Sequence, residues 1–391
     1  MLQIVGDRRD RQSLIVTPPL PECEFSAIVP VKDEAQNLPE TLAALAAQAS
    51  FNGLPLDCQR YEIIVLANNC TDESAAIARQ FAATHPWLVL HVAELTLPPA
   101  KAYIGYVRKL LMDEAYDRLM SLGRRRGIIA STDGDTKVAK TWIAATIQEI
   151  NHGVDAVGGR ILTDHHSRHQ LSSQARTCFL QEVGYRSSIA QMESHLDPDP
   201  CDPLPRHFQH YGASLAVTAE IYAKAGGLPS VRTPEDEAFY QSLLRVDARF
   251  RHSPLVRVTT SARATGRSPV GLASQLSKWA QMSGDAAVKV EPVAAIVDRF
   301  GARRKLRALW HQLWAGYQVA HPELEQLASK LGVSDVWLLA EFDRSPTFGR
   351  LWERVTQHQQ KYSPLRWQPI EIQTAISDLR QQIARFNRRA V

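Results

Sequence analysis

No stretch of the chain approaches the roughly 18 consecutive apolar residues that a bilayer-spanning helix needs, so no transmembrane segment is expected and only peripheral membrane contact stays open. No basic-then-apolar leader opens the sequence. Cysteine is scarce and unpatterned. Cys23, Cys58, Cys70, Cys178 and Cys201 are odd in number and show no C-x-x-C spacing, which argues against a disulfide scaffold or a zinc site and for a reducing, cytoplasmic setting. An excess of one charge is also missing. Forty-five Lys and Arg face 41 Asp and Glu, a formal net charge of +4, which excludes a strongly basic nucleic-acid binder. Basic residues gather only locally, at Arg124-Arg125-Arg126, Arg303-Arg304-Lys305 and Arg388-Arg389. These read as solvated helix ends, with an anionic substrate or membrane surface as the alternative. Internal repeats and low-complexity tracts are absent.

What is present is an ordinary globular composition, 45% hydrophobic and 22% charged over 391 residues, enough for two or three structural units. Residues 1–24 read as an extended, Pro-rich lead-in. Phe25–Val31 and Tyr61–Ala67 are apolar on both faces, as central parallel strands are. Helices are expected between them and over Glu73–Thr84, Ala102–Leu122 and Trp142–Asn151. Further strands fall at Leu88–Val92, Gly127–Ser131, Ala156–Ile161 and Gly212–Val217. Alternation of this kind predicts an α/β fold, a mostly parallel sheet with helices on both faces, over residues 25–268. Residues 164–210 form an irregular insertion, with a helical stretch near Gln170–Met192, suited to a lid or an acceptor wall. Residues 269–391 read as helical. One apolar face combines Leu306, Leu309, Trp310, Leu313, Trp314 and Tyr317; another combines Ile372, Ile376, Leu379, Ile383 and Phe386. This region could equally pack on the rest, shape an acceptor site or form a homodimer.

Ligands on such sheets bind beyond the C-terminal strand ends. Three polar turns lie there: Pro30–Glu34, Asn68–Asp72 and Asp133–Asp135. A lone D-x-D is close to a chance match in a chain of this length. Directly after an apolar strand, however, two carboxylates at i and i+2 can share one hard cation, Mg²⁺ or Mn²⁺. Thr233-Pro234-Glu235-Asp236-Glu237 reads first as a helix start favoured by the helix dipole, which does not preclude a catalytic use.

The set Ile28–Glu34, Val65–Asp72, Asp133-Gly134-Asp135 and Pro234–Glu237 resembles family 2 glycosyltransferases of the GT-A fold, over roughly residues 25–265. The resemblance implies transfer of a sugar from a nucleoside-diphosphate donor, of UDP or GDP type, to an acceptor hydroxyl, with inversion. It implies backbone contacts from Pro30 and Val31 to the nucleoside, Glu34 at the base or ribose, Asn68 and Asp72 lining the base, and Lys101 near the diphosphate. Asp133 would meet ribose or metal, Asp135 would be the main metal ligand, and Asp236, beside Glu235, would be the general base. Ala67-Asn68-Asn69 departs from the aspartates of many relatives, which leaves the base open, and the acceptor is not identified. Gln275–Trp279 carries Lys278 where processive relatives carry Arg, which argues against a polymer synthase. Arg263 and Arg267 suit a loop over the diphosphate or an ordinary surface. His252 is a candidate third metal ligand. His165, His166, His169, His207 and His210 lack partners at zinc spacing. A sugar-phosphate nucleotidyltransferase and a non-catalytic sugar-nucleotide-binding protein are the competing readings.

Overall fold

The computed structural model describes residues 13–262, 271–282, 288–362 and 367–389. The described residues of 1–171, 209–243 and 248–275 form one compact unit, and those of 172–208, 244–247 and 276–391 form a second.

The first unit opens with β1 (Phe25–Val31), α1 (Leu38–Ala46), β2 (Tyr61–Asn68), α2 (Ser74–Thr84), β3 (Leu90–Leu95), α3 (Ile104–Ser121) and β4 (Ile128–Ser131). It continues with β5 (Thr136–Val138), α4 (Trp142–Asn151), β6 (Ala156–Thr163) and α5 (His165–His169). After α6 (Ser173–Leu196), which belongs to the second unit, come β7 (Leu215–Thr218), α7 (Ala219–Lys224), α8 (Glu235–Arg245) and β8 (Phe250–Thr260). The eight strands make one sheet in the order β3-β2-β1-β4-β7-β6-β8-β5. Pairs β3/β2, β2/β1, β1/β4 and β6/β8 are parallel; β4/β7, β7/β6 and β8/β5 are antiparallel.

Every residue of β1 and β2 is buried. Strands apolar on both faces can be stable only when helices cover both, which the α/β alternation provides. Leu38, Leu42 and Leu45 of α1 are fully buried, and Phe25 meets Trp142 of α4 edge-on at 5.6 Å between ring centroids. The parallel pairs align the C-terminal ends of β1, β2 and β4, with Val31 opposite Ala67 and Ile28 opposite Ser131. This is the mostly parallel sheet with flanking helices that the sequence predicts. β5, three residues long, was not foreseen. Its partner β8 lies more than a hundred residues away, and no local pattern marks so short a strand.

The second unit adds α9 (Leu272–Gln281, begun in the first), β9 (Lys289–Val290), α10 (Val293–Trp314), α11 (His321–Leu331), α12 (Asp335–Arg344), α13 (Phe348–Tyr362), β10 (Ile370–Glu371) and α14 (Ile372–Arg389). The short β9/β10 pair interrupts a region the sequence reads as wholly helical. One apolar cluster gathers Leu306, Leu309 and Trp310 with residues of α11, α12 and α13; a second joins α6, α10 and α14 through Met192, Ile296 and Leu379. The expected face on α10 is shorter than predicted. Trp314 is 55% exposed and Tyr317 69%, because the helix ends at Trp314 and Gly316 turns the chain at φ 82°.

Candidate functional site

At the end of β1 the chain turns sharply at Asp33, φ 52°. Glu34 is buried; its N–H donates to Ser74 Oγ at 2.8 Å, and its Oε2 accepts from Asn37 Nδ2 at 2.8 Å. The turn after β2 is built to match. Asn68, the last residue of β2, is buried and donates to Asn69 Oδ1 at 3.3 Å. Asn69, at φ 49°, binds both backbone groups of Leu97: Nδ2 to the carbonyl at 2.9 Å and Oδ1 from the N–H at 3.0 Å. Asp72 accepts the Ala35 N–H at 2.9 Å and the N–H and hydroxyl of Ser74 at 3.0 and 2.6 Å, which ties the β1 turn to the start of α2.

An open cavity of about 750 Å³ lies beside these turns, lined by Lys32, Asn69, Thr96, Leu97, Pro98, Pro99 and Ala102. Pro30 and Val31 end β1 with buried side chains. Lys101 sits in the loop that forms the cavity wall. It is exposed, with Nζ 5.3 Å from the centre of the Tyr106 ring.

Asp133-Gly134-Asp135 follows β4 directly. Gly134 presses on the β1 turn: a Cβ there would come within 3.2 Å of Glu34 Cγ and Val31 Cγ2. Its carbonyl accepts from the Thr41 hydroxyl at 3.0 Å. The turn after β1 therefore meets both of the others, the turn after β2 through Asp72 and the Asp133–Asp135 loop through Gly134. Asp133 and Asp135 are both partly exposed.

Glu235 and Asp236 open α8. Asp236 accepts two backbone N–H groups, Gly212 to Oδ2 at 3.0 Å and Glu237 to Oδ1 at 2.8 Å. Between Asp133 and Glu235 stands a residue that sequence reasoning missed. Arg108, in the second turn of α3 and 3% exposed, donates from Nη2 to Asp133 Oδ1 at 2.6 Å and from Nη1 to Glu235 Oε1. Its signal was legible: Arg108 shares a helical face with buried Leu111, Met112, Ala115 and Leu119, where an arginine needs an anion. Burial pushes the Glu235 carboxyl up; Arg108 opposes the rise and Asp236 adds to it. Asp133 keeps about a third of its side chain exposed, yet desolvation on its packed side likewise raises it against the pull of Arg108, with Asp236 and Glu34 reinforcing the rise. Burial disfavours the Arg108 cation, but Glu235, Asp133 and Asp236 together outweigh it and hold the guanidinium charged.

His252 lies buried in β8 and faces His210 and Tyr240 edge-on. His210 stacks on Tyr240 and places Nε2 2.7 Å from Glu237 Oε2. Among the described residues, the sets of three ligand-bearing side chains within 4.8 Å of one another are Asp33, Cys70 and Asp72, and His321, Glu325 and Asp335. Asp133, Asp135 and His252 are in neither. His165 and His169 pair on the exposed helix α5, with Nε2 atoms 3.1 Å apart. His207 is buried in the second unit. Arg263 and Arg267 lie outside the described residues. No described helix is long and apolar enough to cross a membrane.

Residues 26–203 match the family model for glycosyl transferase family 2. A search of curated proteins returned no match. Among solved structures, a mannosyltransferase from Pyrobaculum calidifontis with GDP-Man and Mn²⁺ is 15% identical at TM-score 0.44, covering 96% of this chain and 84% of that one. S. aureus TarS 1–349 with UDP is 15% identical at TM-score 0.42, covering 94% and 92%. Glucosyl-3-phosphoglycerate synthase from Mycobacterium tuberculosis, with Mn²⁺, UDP and phosphoglyceric acid, is 13% identical at TM-score 0.36, covering 70% and 84%.

Proposed function

We propose that this chain, whose residues 26–203 match the glycosyl transferase family 2 model, moves a sugar from a UDP- or GDP-type donor to an acceptor hydroxyl with inversion, in a catalytic domain over residues 25–268. The observation that carries this reading is the gathering of Asp133 with Glu235 and Asp236 around Arg108, at the strand ends and beside turns that could take a nucleoside.

The nucleoside is read into the cavity at the ends of β1, β2 and β3, which is lined by Lys32, Asn69, Thr96, Leu97, Pro98, Pro99 and Ala102. Pro30, Val31, Glu34, Asn68 and Asp72 belong to the turns beside that lining, and Lys101, in the loop that forms the wall, is read toward the diphosphate. The donor set at Asp133 and Asp135 suits Mg²⁺ or Mn²⁺. Both ligands are hard carboxylate oxygens, both are partly exposed, and the glycine between them lets the loop lie flat on the β1 turn. When bound, the cation would neutralise charge on the departing diphosphate. Asp236 is the proposed general base. Its two backbone donors hold the carboxylate in place, and it would take the acceptor hydroxyl proton as the oxygen attacks the sugar. Glu235 keeps Arg108 beside it. All five cysteines are free thiols, which suits the cytoplasm.

The test is donor turnover with Mn²⁺. Asp236→Asn should bind UDP or GDP with Mn²⁺ as the wild type does and lose about 10³-fold in kcat. A wild-type rate in that variant would remove Asp236 from the base role. Full activity under a chelator, or in Asp135→Ala, would remove the cation. Release of pyrophosphate instead of nucleoside diphosphate would identify a nucleotidyltransferase.

A further inference from the structure

A guanidinium that only neutralises a buried acid does so best by gripping one carboxylate with two donors. Arg108 does not. Its fork is split between Asp133, in the loop after β4, and Glu235, in the first turn of α8. Its Nε is buried and, among the described residues, finds no hydrogen-bond partner. The split sacrifices a bond and in return sets the separation of two acids that belong to different elements.

The surroundings hold this arrangement from both sides. A Cβ at Gly212 would lie 2.1 Å from Arg108 Nη1, so only glycine leaves room for the guanidinium. The N–H of that same Gly212 holds Asp236. On α3 itself, a Cβ at Gly105 would lie 2.1 Å from the Val231 carbonyl and 3.1 Å from Glu235 Cβ, so the helix approaches the lead-in to α8 as closely as backbone allows. Arg108 is therefore in contact with the donor side through Asp133, and with the acceptor side through Glu235 and Gly212.

We propose that Arg108 is a positioning residue of the site, which fixes Asp133 against Glu235 and leaves the second Asp133 oxygen for the donor cation. The inference rests on the reading of Asp133 and Asp135 as the cation ligands. It assigns Arg108 no contact with substrate. A lysine cannot replace it, because one ammonium on a flexible stem does not span two carboxylates in fixed geometry.

The experiment measures Mn²⁺ binding to the full chain by electron paramagnetic resonance, with and without UDP and GDP, beside kcat and KM. Arg108→Lys and Arg108→Gln should each weaken Mn²⁺ about 10- to 100-fold and lower kcat by a similar factor, with acceptor KM little changed. Glu235→Gln, which opens the fork without touching Arg108, should weaken Mn²⁺ in the same direction and serves if Arg108→Gln does not fold. A residue that only stabilised the fold would lower the melting temperature and leave the Mn²⁺ affinity of the folded protein unchanged. That result in Arg108→Lys and Glu235→Gln overturns the inference, as does tighter Mn²⁺ binding in Arg108→Lys. A wild type that binds no Mn²⁺ overturns the functional reading, and this one with it.

Discussion

Helix α3 carries two buried arginines, Arg108 and Arg118, about 15 Å of helix apart, and they answer to opposite ends of the strands. Arg118 meets Glu62 near the start of β2. Nε lies 3.1 Å from both Glu62 oxygens, Nη2 is 2.6 Å from Oε2, and Nη1 reaches the Thr17 carbonyl at 2.6 Å. Ser26 and His91 complete the set. Burial alone would raise the Glu62 carboxyl, but hydrogen bonds from His91, Arg118 and Ser26 bring it down to about 2. At the other end one guanidinium faces Asp133, Glu235 and Asp236, and both Asp133 and Glu235 are pushed up. Burial of an arginine therefore does not mark a functional site. The imbalance of charge around Arg108 is what singles out its end of the helix as the candidate.

The largest expected effect tests the balanced end. Arg118→Met leaves Glu62 buried without its partner and should cost about 4 kcal/mol of stability in chemical unfolding. The fraction that stays folded should keep its kcat, since Arg118 serves the strand base only. A folded variant with lost kcat would erase the distinction between the two arginines. Next comes acid stability. A carboxyl held at about 2, against an ordinary value of 4.5, contributes stability above 4.5 that is lost as pH falls toward 2, about 3 kcal/mol in all. The unfolding free energy of the wild type should fall across that window more steeply than that of Glu62→Gln. The smallest effect has the opposite sign. A carboxyl raised in the folded state contributes most below its unfolded value and loses that contribution as pH rises through the raised one. Glu235→Gln should therefore melt about 2–4 °C higher than the wild type near pH 8, with the difference shrinking toward pH 4, while turnover falls. A lower melting temperature at pH 8 would show that Arg108 depends on Glu235 for stability more than the carboxylates repel one another.

The half of the sheet that holds β1, β2 and β4 was legible because its strands are unbroken apolar runs that stop at polar turns. Asp133-Gly134-Asp135 drew its meaning from that context. Asp72, besides its proposed place near the base, caps the start of α2 and holds Ala35, a role any Asp-x-Ser turn can express locally. The apolar face around Arg108 signals a buried cation in need of an anion, but its partners lie 25 and 127 residues away, and no local motif names them. The β5/β8 pairing escaped for the same reason. Helical periodicity carries the apolar face on to Trp314 and Tyr317, past a helix end that only Gly316 signals.

The lead-in segment is fastened to the same helix. Ser13 Oγ and the Leu14 N–H bind Glu114 at 2.8 and 2.9 Å, and Thr17 supplies the carbonyl on Arg118. For anyone preparing this protein, the practical result concerns where to cut and where to tag. Trimming to the first strand would strip Arg118 of a ligand and expose Glu114, whereas an extension placed ahead of Ser13 leaves those bonds intact.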